Sequence, residues 1–172
     1  MKRFPLMNTA LCVLASLSVT TALAQAPAAP APAPRAAAPA LTPAVEAAQA
    51  AVAACAADGY KVTVLITDAD GETVVLLSGD GAALRTQGVA RSKVAAALKY
   101  QMSSGEVAEK ARNDAAFDAE IKADPAIGTA RQGAVLIKNG DAIIGAFAVS
   151  GAPGGDKDEA CITAALAKVA LN

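Results

Sequence analysis

The sequence has 172 residues, enough for one domain and little more. Apolar residues make up 54%, about half of them alanine, aromatics are 3%, and there is neither Trp nor His. The missing histidine excludes Ser-His-Asp and Cys-His catalysis, histidine metal sites and proximal-His haem ligation; a net charge of −1 excludes a nucleic-acid binder driven by bulk charge.

Residues 1–24 read as a secretory signal: Lys2 and Arg3 give the charged start, Leu11 to Leu23 the apolar run, and Ala22-Leu23-Ala24 the small residues before a cleavage at Gln25. The run is too short and too polar to span a membrane. Cleavage places the mature chain in the periplasm or outside the cell. Residues 25–41 are almost entirely Ala and Pro; proline denies donors and alanine has too little side chain to bury, so they predict a semi-extended tether. The folded domain is then 42–172.

Within it, Thr42-Pro43 signals a helix start and Gly59 its end, with Val45, Ala48, Val52 and Cys55 on the inward face. Tyr60–Thr67 and Thr73–Leu77 are β-branched runs joined by Asp70-Gly71, a hairpin signal. Leu84–Tyr100 predicts a helix with Val89, Ala90, Val94, Ala97 and Leu98 inward. Ser104–Ala123 predicts one or two polar helices anchored by Phe117 and Ile121. A second hairpin pairs Ala134–Ile137 with Ala142–Val149 across Asn139-Gly140. The second of these strands is apolar at nearly every position, so both its faces are covered, and Gly145 marks a bulge or a close backbone approach. Asp156 and Glu159 suggest a capping box for a last helix with Ile162, Ala165, Leu166 and Val169 inward. This order is α+β: an antiparallel sheet between helical layers.

Cleavage leaves two cysteines, Cys55 and Cys161, one on each terminal helix. In an oxidising compartment they suit a disulfide closing a long loop; the alternative is two buried thiols acting as small hydrophobes. Asp68-Ala69-Asp70-Gly71-Glu72 resembles half of a calcium loop but lacks the distal ligands, and its Asp-Gly is already explained as a turn. Ser150–Gly155 runs from a strand into a helix and reads as a connector whose backbone shape matters, ahead of a phosphate cradle. Arg85, Arg91, Lys93 and Lys99 line the middle helix, with Tyr100 and Met102 at its end; such a basic edge is a solvated face or the wall of a pocket for an acidic ligand.

Five segments in order resemble the GlcG/HbpS family, a module also found at the C-terminus of PduO-type proteins. They are Lys61–Gly71, Asp80-Gly81-Ala82, Ala90 with Lys93, Ile143–Ala152, and Asp158-Glu159-Ala160-Cys161. The resemblance implies a profilin-like three-layer α/β/α fold with a central antiparallel sheet of about five strands. It also implies a homo-oligomer and binding of haem or a small anionic ligand, with Asp68, Arg85, Lys93, Lys99, Tyr100, Met102 and Ser150 as candidate contacts. Two departures stand out: Leu77 and Ser78 occupy the place where the family commonly has an Arg, and Arg131-Gln132-Gly133-Ala134 is poorer in Gly and Pro than the usual hairpin entry. Without histidine, haem ligation would fall to Tyr100, Met102 or a Lys, or the iron would go unligated. Two other readings stand beside this one: a non-catalytic oligomeric scaffold, and an enzyme using Asp68, Lys93 or Tyr100 for acid–base work.

Overall fold

A computed structural model describes residues 36–171. The expected signal segment and most of the expected tether lie outside the described residues. Five helices and four strands follow in the order α1 (Leu41–Ala57), β1 (Thr63–Thr67), β2 (Thr73–Ser78), α2 (Arg85–Tyr100), α3 (Ser104–Asn113), α4 (Ala115–Ala123), β3 (Ala134–Asn139), β4 (Ala142–Ser150) and α5 (Gly155–Leu166).

The sheet is antiparallel throughout, in the order β2-β1-β4-β3. Its alternation builds two cores. Val62, Val64, Ile66, Phe147 and Val149 face α1 and α5, whereas Leu65, Ala146 and Ala148 face Ala90, Val94 and Ala97 of α2. A third cluster joins α2 to α3 and α4 through Val107, Phe117 and Ile121. The three-layer α/β/α arrangement is therefore as expected, with the terminal helices together on one face. The described residues form four strands rather than about five. The connection after α4 turns on itself at Asp124–Gly128, where Ile127 and Gly128 donate to the Asp124 carbonyl.

Local chemistry explains most element ends. Asp70-Gly71 closes the first hairpin with Gly71 at φ 86°, and the Asp68 carboxylate accepts from the Asp70 and Glu72 amides at 3.1 and 2.8 Å. Ser103 and Glu106 form a reciprocal capping box on α3, which holds the Glu106 carboxyl below its usual range. Asp114 separates α3 from α4 by capping the Ala116 and Phe117 amides.

Three expectations need correction. Helix α1 begins at Leu41, so Ala40 and not Thr42 is its N-cap. Its buried face is Ala44, Ala47, Ala48, Ala51 and Cys55, with Val45 and Val52 only half-buried, because alanines let α1 approach α5 and the sheet closely. Helix α5 starts from Gly154 without a side-chain cap, and its stripe is Asp158, Cys161, Ile162 and Ala165. Leu166 ends the helix at the surface.

Strand β4 is buried from Ile144 to Ser150. Gly145 sits where β4 pairs irregularly with β3 opposite Ile137 and Lys138, and a Cβ there would collide with the Thr67 carbonyl oxygen. Gly145→Ala is therefore expected to lower stability by about 1–3 kcal/mol or more, because backbone, not a flexible side chain, must yield. Urea denaturation of the purified variant checks this.

Candidate functional site

Where β4 runs into α5, the Ser150–Gly155 connector forms one wall of a cleft of about 490 Å³. Arg85, Thr86, Val89 and Lys93 of α2 form another, and Ala108 and Arg112 of α3 with Ala130, Arg131 and Gln132 complete it.

At its base lies a buried ion pair. The Lys93 amine donates to Asp158 Oδ2 at 2.6 Å and to the Val149 carbonyl at 2.8 Å, and the two side chains are only 3% and 5% exposed. Asp158 Oδ1 in turn accepts from the Ala152 amide at 2.9 Å. The pair thus fastens the connector to α2 from below. Burial pushes the Lys93 amine down from its ordinary range, with Asp158 pulling it back and Arg131 adding a smaller downward push. Burial likewise raises the Asp158 carboxyl, against the attraction of Lys93. Glycine is needed nearby: Gly133 has φ 119°, and a Cβ there would stand 2.5 Å from Lys93 Nζ and 2.9 Å from Asp158 Cβ.

Above the pair the cleft's mouth is cationic. Arg85, Arg112 and Arg131 all line it and all are exposed. Among the described residues neither Arg85 nor Arg112 pairs with a carboxylate, while Arg131 donates to the Thr129 carbonyl at 3.4 Å.

Of the residues singled out from the sequence, the cleft gathers Arg85, Lys93 and Ser150. Lys93 is there as the partner of Asp158. The other four lie elsewhere. Asp68 caps the β1–β2 turn at the far end of β1, since Thr63 pairs with Ser150 whereas Thr67 pairs with Ala146. Lys99 bridges to Asp124 at 2.8 Å, which holds its ammonium above the usual range. Burial and the hydrogen bond of its hydroxyl to Glu120 at 2.9 Å raise the Tyr100 phenol, and its ring packs edge-on against Phe117. Met102 packs in the α2–α3–α4 cluster. Asp68, Lys93 and Tyr100 therefore do not meet in one acid–base site. Cys55 and Cys161 are joined by a disulfide linking α1 to α5, with their Cα atoms 5.5 Å apart. Sequence reasoning did not name Arg112, Arg131 or Asp158 as contacts, although Asp158 opens one of the family-like segments and Arg131 stands in a departure from the family pattern, because they meet only through the fold: Arg112 comes from α3, Arg131 from the α4–β3 loop and Asp158 from α5.

The chain is thus an α/β/α domain with a cation-rimmed cleft at the end of β4, one of the two inner strands of its sheet. The model of the haem degrading protein HbpS-like family matches residues 40–167, and the chain belongs to that family. Crystal structures agree. HbpS of Streptomyces reticuli, as a double mutant, is 31% identical, with 84% of this chain and 97% of that one covered and a TM-score of 0.68. A PduOC–haem complex is 20% identical, covering 78% and 99%, with a TM-score of 0.70. Protein ORFY of Klebsiella pneumoniae is 16% identical, covering 81% and 96%, with a TM-score of 0.69. The last two are similar in fold. No curated protein matches the chain.

A haem can be tested against these residues part by part. Its propionates find partners in Arg85, Arg112 and Arg131, and its faces find small apolar walls in Val89, Ala108, Ala130, Ala152 and Pro153. Its iron does not fit. Among the described residues the cleft offers no histidine, cysteine, tyrosine or methionine, and its one amine is committed to Asp158.

Proposed function

We propose that this protein is an exported small-ligand-binding protein whose cleft takes a carboxylate-bearing tetrapyrrole of the haem type. The observation that carries this reading is the trio Arg85, Arg112 and Arg131 around a cleft whose floor is already charge-neutralised by Lys93 and Asp158. Three guanidiniums without a floor to balance suit an incoming dianion. Family membership and the haem complex of PduOC point to the same ligand class.

Export rests on the signal pattern of residues 1–24 followed by the Ala/Pro tether at 25–41, and a disulfide between Cys55 and Cys161 suits an oxidising compartment. Among the described residues no helix is long and apolar enough to cross a membrane. Self-association belongs to the same reading: Leu84, next to Arg85 in sequence, is a large apolar side chain left 82% exposed, which a second copy would cover. Light scattering that returns the mass of a single chain would remove that part.

Titrating the purified protein with hemin tests the main reading. A shifted Soret band with a saturable endpoint is expected. A drift without saturation would show non-specific association and end the reading.

A further inference from the structure

Among the described residues the iron of a haem would meet no strong protein ligand in this cleft. The sequence has no histidine, and Cys55 and Cys161 are bonded to each other. Tyr100 is engaged with Glu120 and Phe117, and Met102 packs among α2, α3 and α4. Lys93 is the amine within the cleft, but it already donates to Asp158 and Val149, and withdrawing it would leave a buried carboxylate unpaired. Hydroxyls do not replace it: the neutral alcohols of Ser150 and Thr86 are weak ligands to iron, and Thr86 Oγ1 already donates to the Ala83 carbonyl at 2.6 Å and lies 2.7 Å from Thr63 Oγ1.

What the cleft does supply is cations and room. Each guanidinium presents a fork that matches a carboxylate by two parallel hydrogen bonds. Ala108, Arg112 and Ala130 also line a separate hollow of about 620 Å³ beside α3 and α4.

We propose that recognition in this cleft is by the ligand's carboxylates and independent of any metal at its centre. To this protein the metal-free and the iron-loaded macrocycle are then the same ligand. The inference rests on the tetrapyrrole reading above, and it goes further by assigning the selectivity to the arginines.

The test is a set of parallel titrations of the disulfide-intact protein with hemin, metal-free protoporphyrin IX and the dimethyl ester of protoporphyrin IX, followed by absorbance and fluorescence. The dissociation constants for hemin and the free macrocycle should agree within about threefold, a difference well under 1.4 kcal/mol. The ester, which cannot form charged pairs, should bind weaker by about tenfold or more. Bound hemin should keep the spectrum of iron ligated by water or buffer. Hemin binding tenfold or more tighter than the free macrocycle, with a spectrum of protein-ligated iron, would overturn the inference and leave the tetrapyrrole reading standing. An ester that binds as well as the acid would do the same. Saturable binding of none of the three would overturn both.

Discussion

Lys93→Met should lower stability by about 3–5 kcal/mol, the cost of removing one partner of a buried ion pair. The substitution keeps the length and apolar character of the stem while leaving Asp158, with its side chain 5% exposed, without its ion-pair partner. Only backbone amides such as that of Ala152 would then hold the carboxylate. The loss should depend on pH in a definite sense. Burial already raises the Asp158 carboxyl in the folded protein, and removing Lys93 takes away the charge that opposes this. A carboxyl raised on folding favours the fold when protonated, below its unfolded value of about 3.9, and ceases to do so as pH rises through its folded value. The variant's deficit should therefore be largest near neutrality and shrink toward pH 4. Lys93→Met/Asp158→Leu should recover most of the loss, because an apolar pair of similar volume needs no compensation. Denaturant melts of the wild type, both single variants and the double variant at two pH values check all three statements.

Removing the disulfide should cost nearly as much. Cys55 and Cys161 are 106 residues apart, and closing a loop of that order is worth roughly 4–5 kcal/mol in unfolded-chain entropy. The bond ties α1 to α5 one turn beyond Asp158, so it also anchors the helix from which the cleft's floor projects. Cys55→Ala/Cys161→Ala should unfold at a lower denaturant concentration. The wild type in excess reductant should match it, while the variant should not respond to reductant.

The sequence spoke most clearly where structure is local. Asp70-Gly71 and the Asn139-Gly140 region each lie between β-branched runs, and both hairpins form there; the second places Gly140-Asp141 in the loop, with Asn139 still paired to Ala142. Gly145 announced its close approach because a glycine in an apolar strand has few other reasons to be there. The faces of α1 and α5 were less legible. Where alanine abounds, hydrophobicity marks no unique stripe, and the side that packs is set by how closely the partner can come.

The site was legible only in part, for a geometric reason. Lys93 and Tyr100 are seven residues apart and share a face of α2, yet that spacing also carries them about 10.5 Å along the helix axis. At Lys93 this face meets the Ser150–Gly155 connector, whereas at Tyr100 it meets α4. The partner that defines Lys93 is Asp158, 65 residues away, and Arg112 of α3 and Arg131 of the α4–β3 loop reach the same cleft. No spacing rule along the chain reports a meeting of that kind.

The location of binding tests the account most directly. Hemin titrations should be run on Arg112→Ala/Arg131→Ala and, separately, on Tyr100→Phe/Met102→Leu, with folding of each confirmed by circular dichroism. The account predicts that the arginine variant loses about tenfold or more in affinity, as removal of charge-assisted hydrogen bonds requires, while the Tyr100/Met102 variant binds as the wild type does. Full affinity in the arginine variant, with loss in the other, would move the site to the far end of α2 and contradict it.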